Sequence, residues 1–241
     1  MQLQLSSLAL EGGFCRPAAI EACSSLPALQ RLTLAGNLTN EVLTDLPLGL
    51  TYLKLECWRR DSTTARLTLT AEAAPRLRQL TAMQELSLNY VDMFHPVVIA
   101  RMQDLRSLTL DCAAVDKGYA EPGLDVLTRL TKLRHFKMRA DALADGVAAP
   151  GDIAALTASS QLTKLDVVGL SDAQIDLLFP AEQQLPQLTE VFLDGALLLP
   201  EHQDTLTRAV QCCPGLTSMK LHVSGMPLRS EWGRECHCLG P

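Results

Sequence analysis

Leu29-Gln30-Arg31-Leu32-Thr33-Leu34-Ala35-Gly36-Asn37 is the stretch that decides the fold. Its apolar residues follow the frame L-x-x-L-x-L. In an extended chain the last two leucines share one side, while Thr33 takes the other. The frame recurs at Leu5-Leu8-Leu10, Leu50-Leu53-Leu55, Met83-Leu86-Leu88, Leu105-Leu108-Leu110 and Leu133-Phe136-Met138. It continues at Leu162-Leu165-Val167, Leu188-Val191-Leu193 and Leu216-Met219-Leu221. Measured from the middle residue, the copies are spaced by 24, 21, 33, 22, 28, 29, 26 and 28 residues. The long gap contains Leu67-Thr68-Leu69, a shortened form of the same pattern. In five copies a further apolar residue stands three positions ahead: Leu26, Leu80, Met102, Leu130 and Leu185. Repetition at this period implies stacked units, none of which can bury its apolar face alone.

Composition agrees. Leucine supplies 46 of 241 residues while aromatics are only 4%, so the core is built from many similar small layers. Hydrophobic residues at 47% and charged ones at 20% describe a chain that folds rather than a disordered polymer. The net charge of -6 argues against nucleic acid as a partner, since such proteins carry a basic excess. Apolar runs such as 195–200 are far shorter than the ~20 residues of a membrane helix, so no membrane partner is expected. The first ten residues alternate polar with apolar and lack the basic start of a secretion signal. The expected compartment is therefore the cytoplasm, with nucleus or cilium as alternatives, and the eight cysteines are expected as reduced thiols in the core.

The frame resembles that of the leucine-rich repeat family, L-x-x-L-x-L-x-x-N/C-x-L, over roughly residues 3–222. Leu29 to Asn37 is the fullest match; elsewhere the Asn/Cys position holds Trp58, Val91, Ala113 or Asp141. The resemblance implies an α/β leucine-rich repeat solenoid, with a curved parallel sheet on the concave side and helices and loops on the convex side. Residues 1–222 would form about nine to ten repeats, and residues 223–241 a tail, either a cap with Trp232 as a lid or disordered. Cys213-Pro214-Gly215-Leu216-Thr217-Ser218-Met219 resembles the cysteine-containing, F-box-associated branch. That branch implies the substrate-recognition part of an SCF-type ubiquitin ligase receptor, although no helical F-box segment precedes Leu5 here. The family also supplies regulatory and axonemal scaffolds and GTPase activators.

Between copies the return segments read as helices. Ser171-Asp172-Ala173-Gln174 is a capping box ahead of Ile175, Leu177 and Leu178. Pro200 stands in a first turn followed by Leu206, Ala209, Val210 and Cys213 at helical spacing. Val97–Met102 and Ile153–Leu156 supply two more, with Asp152 read as the N-cap of the latter. Longer spacings in the second half leave room for full helical turns, and shorter ones in the first half favour tighter returns.

Function falls to the strand residues that point away from the leucines. The candidate partner-binding set is Arg31, Tyr52, Lys54, Glu85, Asp111, His135, Lys137, Arg139, Lys164, Asp166, Glu190, Phe192, Asp194 and Lys220. Thr33, Ser87, Thr109 and His222 share the same side. The run from His135 to Arg139 is basic, and Glu190 to Asp194 is acidic around an exposed Phe192. Adjacent patches of opposite sign beside an aromatic suit a protein partner.

Catalysis finds no foothold. The sequence has no G-x-S-x-G, P-loop, H-E-x-x-H or G-x-G-x-x-G, and Gly12-Gly13 reads as a turn. The five histidines are scattered, with His135 and His222 too many strands apart to share a reacting atom. Cys236-His237-Cys238 offers at most three metal ligands where structural zinc takes four. The expectation is a non-catalytic protein–protein interaction module. It would be monomeric, without cofactor or metal, and would bind a protein partner on its concave face.

Overall fold

Alternating leucines carry directly into the backbone. The computed structural model describes residues 4–58, 67–70, 75–115, 123–140, 150–170, 174, 177–179, 183–194 and 203–222. Its strands are β1 (Ser7–Glu11), β2 (Arg31–Gly36), β3 (Tyr52–Cys57), β4 (Thr68–Leu69) and β5 (Glu85–Phe94). They continue with β6 (Ser107–Val115), β7 (His135–Ala140), β8 (Lys164–Val168), β9 (Glu190–Asp194) and β10 (Ser218–His222). All pair in parallel in one sheet, in the order β1-β2-β3-β5-β6-β7-β8-β9-β10. The shortened copy at Leu67–Leu69 does not insert into that order: β4 pairs instead with Met93 and Phe94, beyond the bulge at Tyr90. β3 and β5 therefore meet directly, and the gap of 33 residues is one repeat with a side excursion.

The register lines up the frame. Leu8, Leu32, Leu53, Leu86, Leu108, Phe136, Leu165, Val191 and Met219 form one row across the sheet. Leu32 through Val191 in that row are buried, whereas Leu8 and Met219 in the end strands are only partly so. A layer in a stack is covered from both sides only if it has two neighbours, so the end layers stay half open.

The upstream apolar position has its own reason. Leu29, Met83, Leu105, Leu133 and Leu188 each donate their N–H to the carbonyl of the residue three before, at 3.0–3.3 Å. A turn with this spacing brings residues i and i+3 onto the same side. Leu80, Met102, Leu130 and Leu185 are accordingly buried beneath their strands.

A second ladder runs just ahead of the strands. The N–H of Thr51, Gln84, Arg106, Arg134, Thr163, Thr189 and Thr217 each reach the matching carbonyl of the preceding unit at 2.7–2.9 Å. In the last three units the threonine hydroxyl donates to that same carbonyl, at 3.0 Å each. No buried asparagine ladder accompanies it: Asn37 is exposed, and the following Leu38 is buried instead.

On the other side the chain returns through short helices whose apolar residues face the core. Pro17–Ser24 is α-helical, with Ile20 and Cys23 buried. Asn40–Leu43, Leu77–Gln79, Pro96–Ile99 and Leu124–Arg129 are 3-10 turns. The Val97–Met102 segment is thus a 3-10 turn rather than a longer helix. Only 22 residues separate Leu86 from Leu108, and the tighter spiral covers the return with fewer residues. Pro150–Ala155 and Gln203–Cys212 are α-helical, in the half where the spacing is longer. Of the capping-box and Pro200 helix starts, 171–173 and 200 lie outside the described residues, as does all of 223–241 with Trp232.

Asp152 corrects an expectation. It lies inside the helix Pro150–Ala155, and its Oδ1 accepts the N–H of Leu124 at 2.9 Å, at the start of the neighbouring 3-10 turn. The carboxylate thus reaches the turn of the preceding repeat from within its helix rather than standing ahead of it, and it is 7% exposed. Gly123 leaves it room: a Cβ at 123 would come within 2.6 Å of that oxygen.

Leu108, fully buried in a central strand, should on truncation to Ala cost about 2–5 kcal/mol of unfolding free energy in urea. A loss within ~0.5 kcal/mol, the level of surface substitutions, would show that the layer is not packed as described. Gly123→Ala should also destabilise, because the methyl displaces the Asp152 carboxylate. Combined with Asp152→Ala its effect should be less than additive.

Candidate functional site

Alternation that buries the leucines turns every other strand residue outward, and the parallel register sets these into three rows. The first holds Arg31, Tyr52, Glu85, His135, Lys164 and Glu190; the second Lys54, Lys137, Asp166, Phe192 and Lys220; the third Asp111, Arg139 and Asp194. All the candidate residues are described, and none is buried. Glu56 belongs to the third row as well, paired with Ala35 and Asn89 on its two flanks. The same alternation that gave Lys54 pointed to it.

Neighbouring rungs stand about 4.8 Å apart, close enough for side chains of opposite charge to meet across strands. Lys164 Nζ lies 2.8 Å from Glu190, and Lys137 Nζ lies 2.8 Å from Asp166. Within one strand, Lys54 reaches Glu56 at 2.6 Å. Arg31 stacks its guanidinium 4.0 Å above the Tyr52 ring and stands 4.0 Å from Glu85 beyond it. Tyr52 is the spacer that lets a charge on β2 address one on β5.

These pairs correct the expectation of two opposed patches. β7 carries the basic run and β9 the acidic one, but β8 lies between them, and its Lys164 and Asp166 pair outward to each side. The signs interleave. Phe192 is half-buried rather than exposed, set in the second row between Asp166 and Lys220. Asp166 spends one carboxylate oxygen on Lys137, and its other oxygen is buried without a hydrogen-bond partner.

Ionisation follows the pairing. The hydrogen bond from Lys164 holds the Glu190 carboxyl below its ordinary range, and Glu190 in turn raises Lys164. Glu56 raises Lys54 in the same way, through their hydrogen bond. Burial instead governs the thiols: Cys57 and Cys213 are each pushed up to about 11, which keeps them protonated and unreactive. The six described cysteines carry no disulfide and are buried. Among the described residues no cluster of three or more His, Cys, Asp or Glu could hold a metal, and Cys236-His237-Cys238 lies outside them. No helix among the described residues is long and apolar enough to cross a membrane.

The repeated frame, the all-parallel register and an apolar core running from Cys15 to Cys213 make this an α/β leucine-rich repeat solenoid. No protein-family model and no curated protein matches the sequence. Among solved structures it is similar to an internalin (inlF) from Listeria monocytogenes, with a TM-score of 0.44 and 17% identity. The match covers 86% of this chain, which spans 66% of the internalin's length.

The charge pairing is open to direct test. In a carboxyl-carbon NMR titration Glu190 should reach its midpoint below an ordinary glutamate, and Lys164→Met should move it back up. The sign follows from the lowered value: the pair stabilises the fold above the ordinary carboxyl range and loses that contribution as pH falls through the Glu190 midpoint. Since both partners are half exposed, added salt should shrink the difference. A Glu190 midpoint unchanged by Lys164→Met would show that the two do not interact in solution.

Proposed function

We propose that the chain is a non-catalytic interaction module that binds a partner protein on the concave face of its sheet. The observation that carries this reading is the outward rows: candidate side chains in register across the sheet, none of them buried. In this reading residues 1–222 are the solenoid and 223–241 a separate tail or cap. Phe192 is the anchor, since a half-buried aromatic can gain contact area on docking at little cost in conformational freedom. The surrounding ion pairs then act in choosing the partner, because a poorly matched surface leaves one member of each pair desolvated and unmatched.

A finer reading makes the module the substrate-recognition part of an SCF-type ubiquitin ligase receptor. It rests on the Cys213-Pro214-Gly215-Leu216 turn, whose Cys213 is buried and whose Leu216 N–H closes the turn on the Cys213 carbonyl at 3.0 Å. In the scaffold or GTPase-activator reading, Arg31 or Arg139 would have to reach a nucleotide. Arg31 is engaged with Tyr52 and Glu85, which leaves that reading the weakest support.

Affinity capture from lysate separates these readings when done with matched variants. Proteins retained by the wild-type chain should be lost with Phe192→Ala and Lys220→Glu, while the melting temperature changes little. Asp125→Lys, on the convex 3-10 turn, should leave them bound. For an anchor of the usual weight the affinity loss is roughly thirtyfold. Loss with Asp125→Lys and retention with both sheet variants would overturn the concave-face reading. A cullin adaptor in the captured set would favour the ligase reading.

A further inference from the structure

Away from the outward rows, the chain leaving β1, β2 and β3 lines a half-open cavity of about 300 Å³ with Gly12, Gly13, Cys15, Arg16, Asn37 and Trp58. Its shape comes from two glycines that no other residue could replace without strain. Gly12 has a φ of +63° and Gly36 one of +153°, and a Cβ at 36 would meet the Gly12 carbonyl oxygen at 3.0 Å. The Trp58 backbone is fixed at the rim by its amide N–H, which donates to the Gly36 carbonyl at 2.9 Å. Its indole lies over Gly12, at 3.8 Å from where a side chain there would begin.

The cavity has an unusual balance of groups. Trp58 remains 41% exposed and presents aromatic surface at the rim. Arg16 and Asn37 are exposed too, and neither side chain makes a hydrogen bond or ion pair among the described residues. The thiol of Cys15 is turned to the Leu10 and Ala35 carbonyls, at 3.1 and 3.5 Å, so it is not available to a ligand. What remains is an aromatic face, a guanidinium and a primary amide, with no carboxylate among the described lining residues.

We propose that this cavity binds the C-terminal residue of a peptide that ends in an aromatic side chain with a free carboxylate. The ring stacks on Trp58, Arg16 takes the carboxylate through charge-assisted hydrogen bonds, and the Asn37 amide pairs with the terminal peptide group. A volume of about 300 Å³ is at the small end of ligand sites and holds one residue rather than a chain segment. An acidic sugar could use the same tryptophan and arginine, but its several hydroxyls would find only one amide to meet them. The site is independent of the concave-face reading, since it uses none of the row residues.

The test uses the full chain and follows the Trp58 indole N–H by NMR, assigned with Trp232→Phe because the protein has two tryptophans. N-acetyl-phenylalanine should shift that resonance, with half-saturation at about millimolar concentration. N-acetyl-phenylalaninamide, which lacks the carboxylate, should bind about tenfold more weakly. Arg16→Gln, at an exposed position, should weaken the acid by the same factor and leave the amide unchanged, and N-acetyl-glycine should not bind. No shift of Trp58, equal binding of acid and amide, or indifference to Arg16→Gln would each overturn the proposal. Stronger binding of glucuronic acid than of N-acetyl-phenylalanine would overturn it in favour of a glycan.

Discussion

Each layer of this protein is buried by its neighbours. A single unit offers two inward strand residues and one or two more beneath them, too little apolar surface to offset the entropy of ordering its backbone. Stacking supplies the missing cover, so stability is close to a sum over adjacent layers, and a defect in one layer weakens both of its contacts. This explains why the apolar residues can vary among Leu, Val, Met and Phe within a row while the row stays in register. The requirement is a filled layer, and Phe136 and Met138 fill theirs side by side on β7. It also explains why Leu8, Leu10 and Met219, in the end strands, are only partly buried.

A stack of this kind creates a second demand, which the leucines cannot meet. Every unit leaves backbone groups at the entry to its strand, and buried groups of that sort must be paired. The carbonyl ladder through residues 30, 51, 84, 106, 134, 163 and 189 does this for the whole sheet. Threonine hydroxyls strengthen it where the sequence supplies them. On the convex side the pairing is individual: Asp152 reaches back to Leu124, Ser159 to the Leu133 carbonyl and Thr157 to the Leu178 carbonyl. Irregular repeats thus keep a regular core by satisfying their return loops one at a time.

The difference between those two kinds of contact marks what could be read from the sequence. Leu32, Leu53 and Leu86 announce their direction by spacing alone, so the strands, the core rows and the outward set were all legible. Asp152 was not. Its position ahead of Ile153 fits an N-cap of its own helix, and only the neighbouring unit, 28 residues away in sequence, shows what it serves. The same applies to the charges: Lys164 and Glu190 are ordinary surface residues until the register sets them side by side. Trp58 stands where the leucine-rich repeat frame has Asn or Cys, yet its seat over Gly12 depends on how β1 and β3 flank β2. Local periodicity is readable; pairing between repeats of unequal length needs the register.

On the proposed concave-face reading, interleaved charge also bears on how a partner could choose the sheet. Two opposed patches would steer a dipolar partner from a distance, but paired charges cancel beyond a Debye length of about 10 Å. Long-range attraction therefore contributes little, and selection must occur at contact. There, a partner covering Lys164 and Glu190, or Lys137 and Asp166, has to leave each pair intact or replace both members, since stripping one partner from a desolvated pair is costly. Burial of the second Asp166 oxygen sharpens that condition, because with no donor to it among the described residues the carboxylate depends on Lys137. A surface that brings an apolar group to Phe192 and leaves Lys137 on Asp166 satisfies both demands. One that brings a carboxylate satisfies neither.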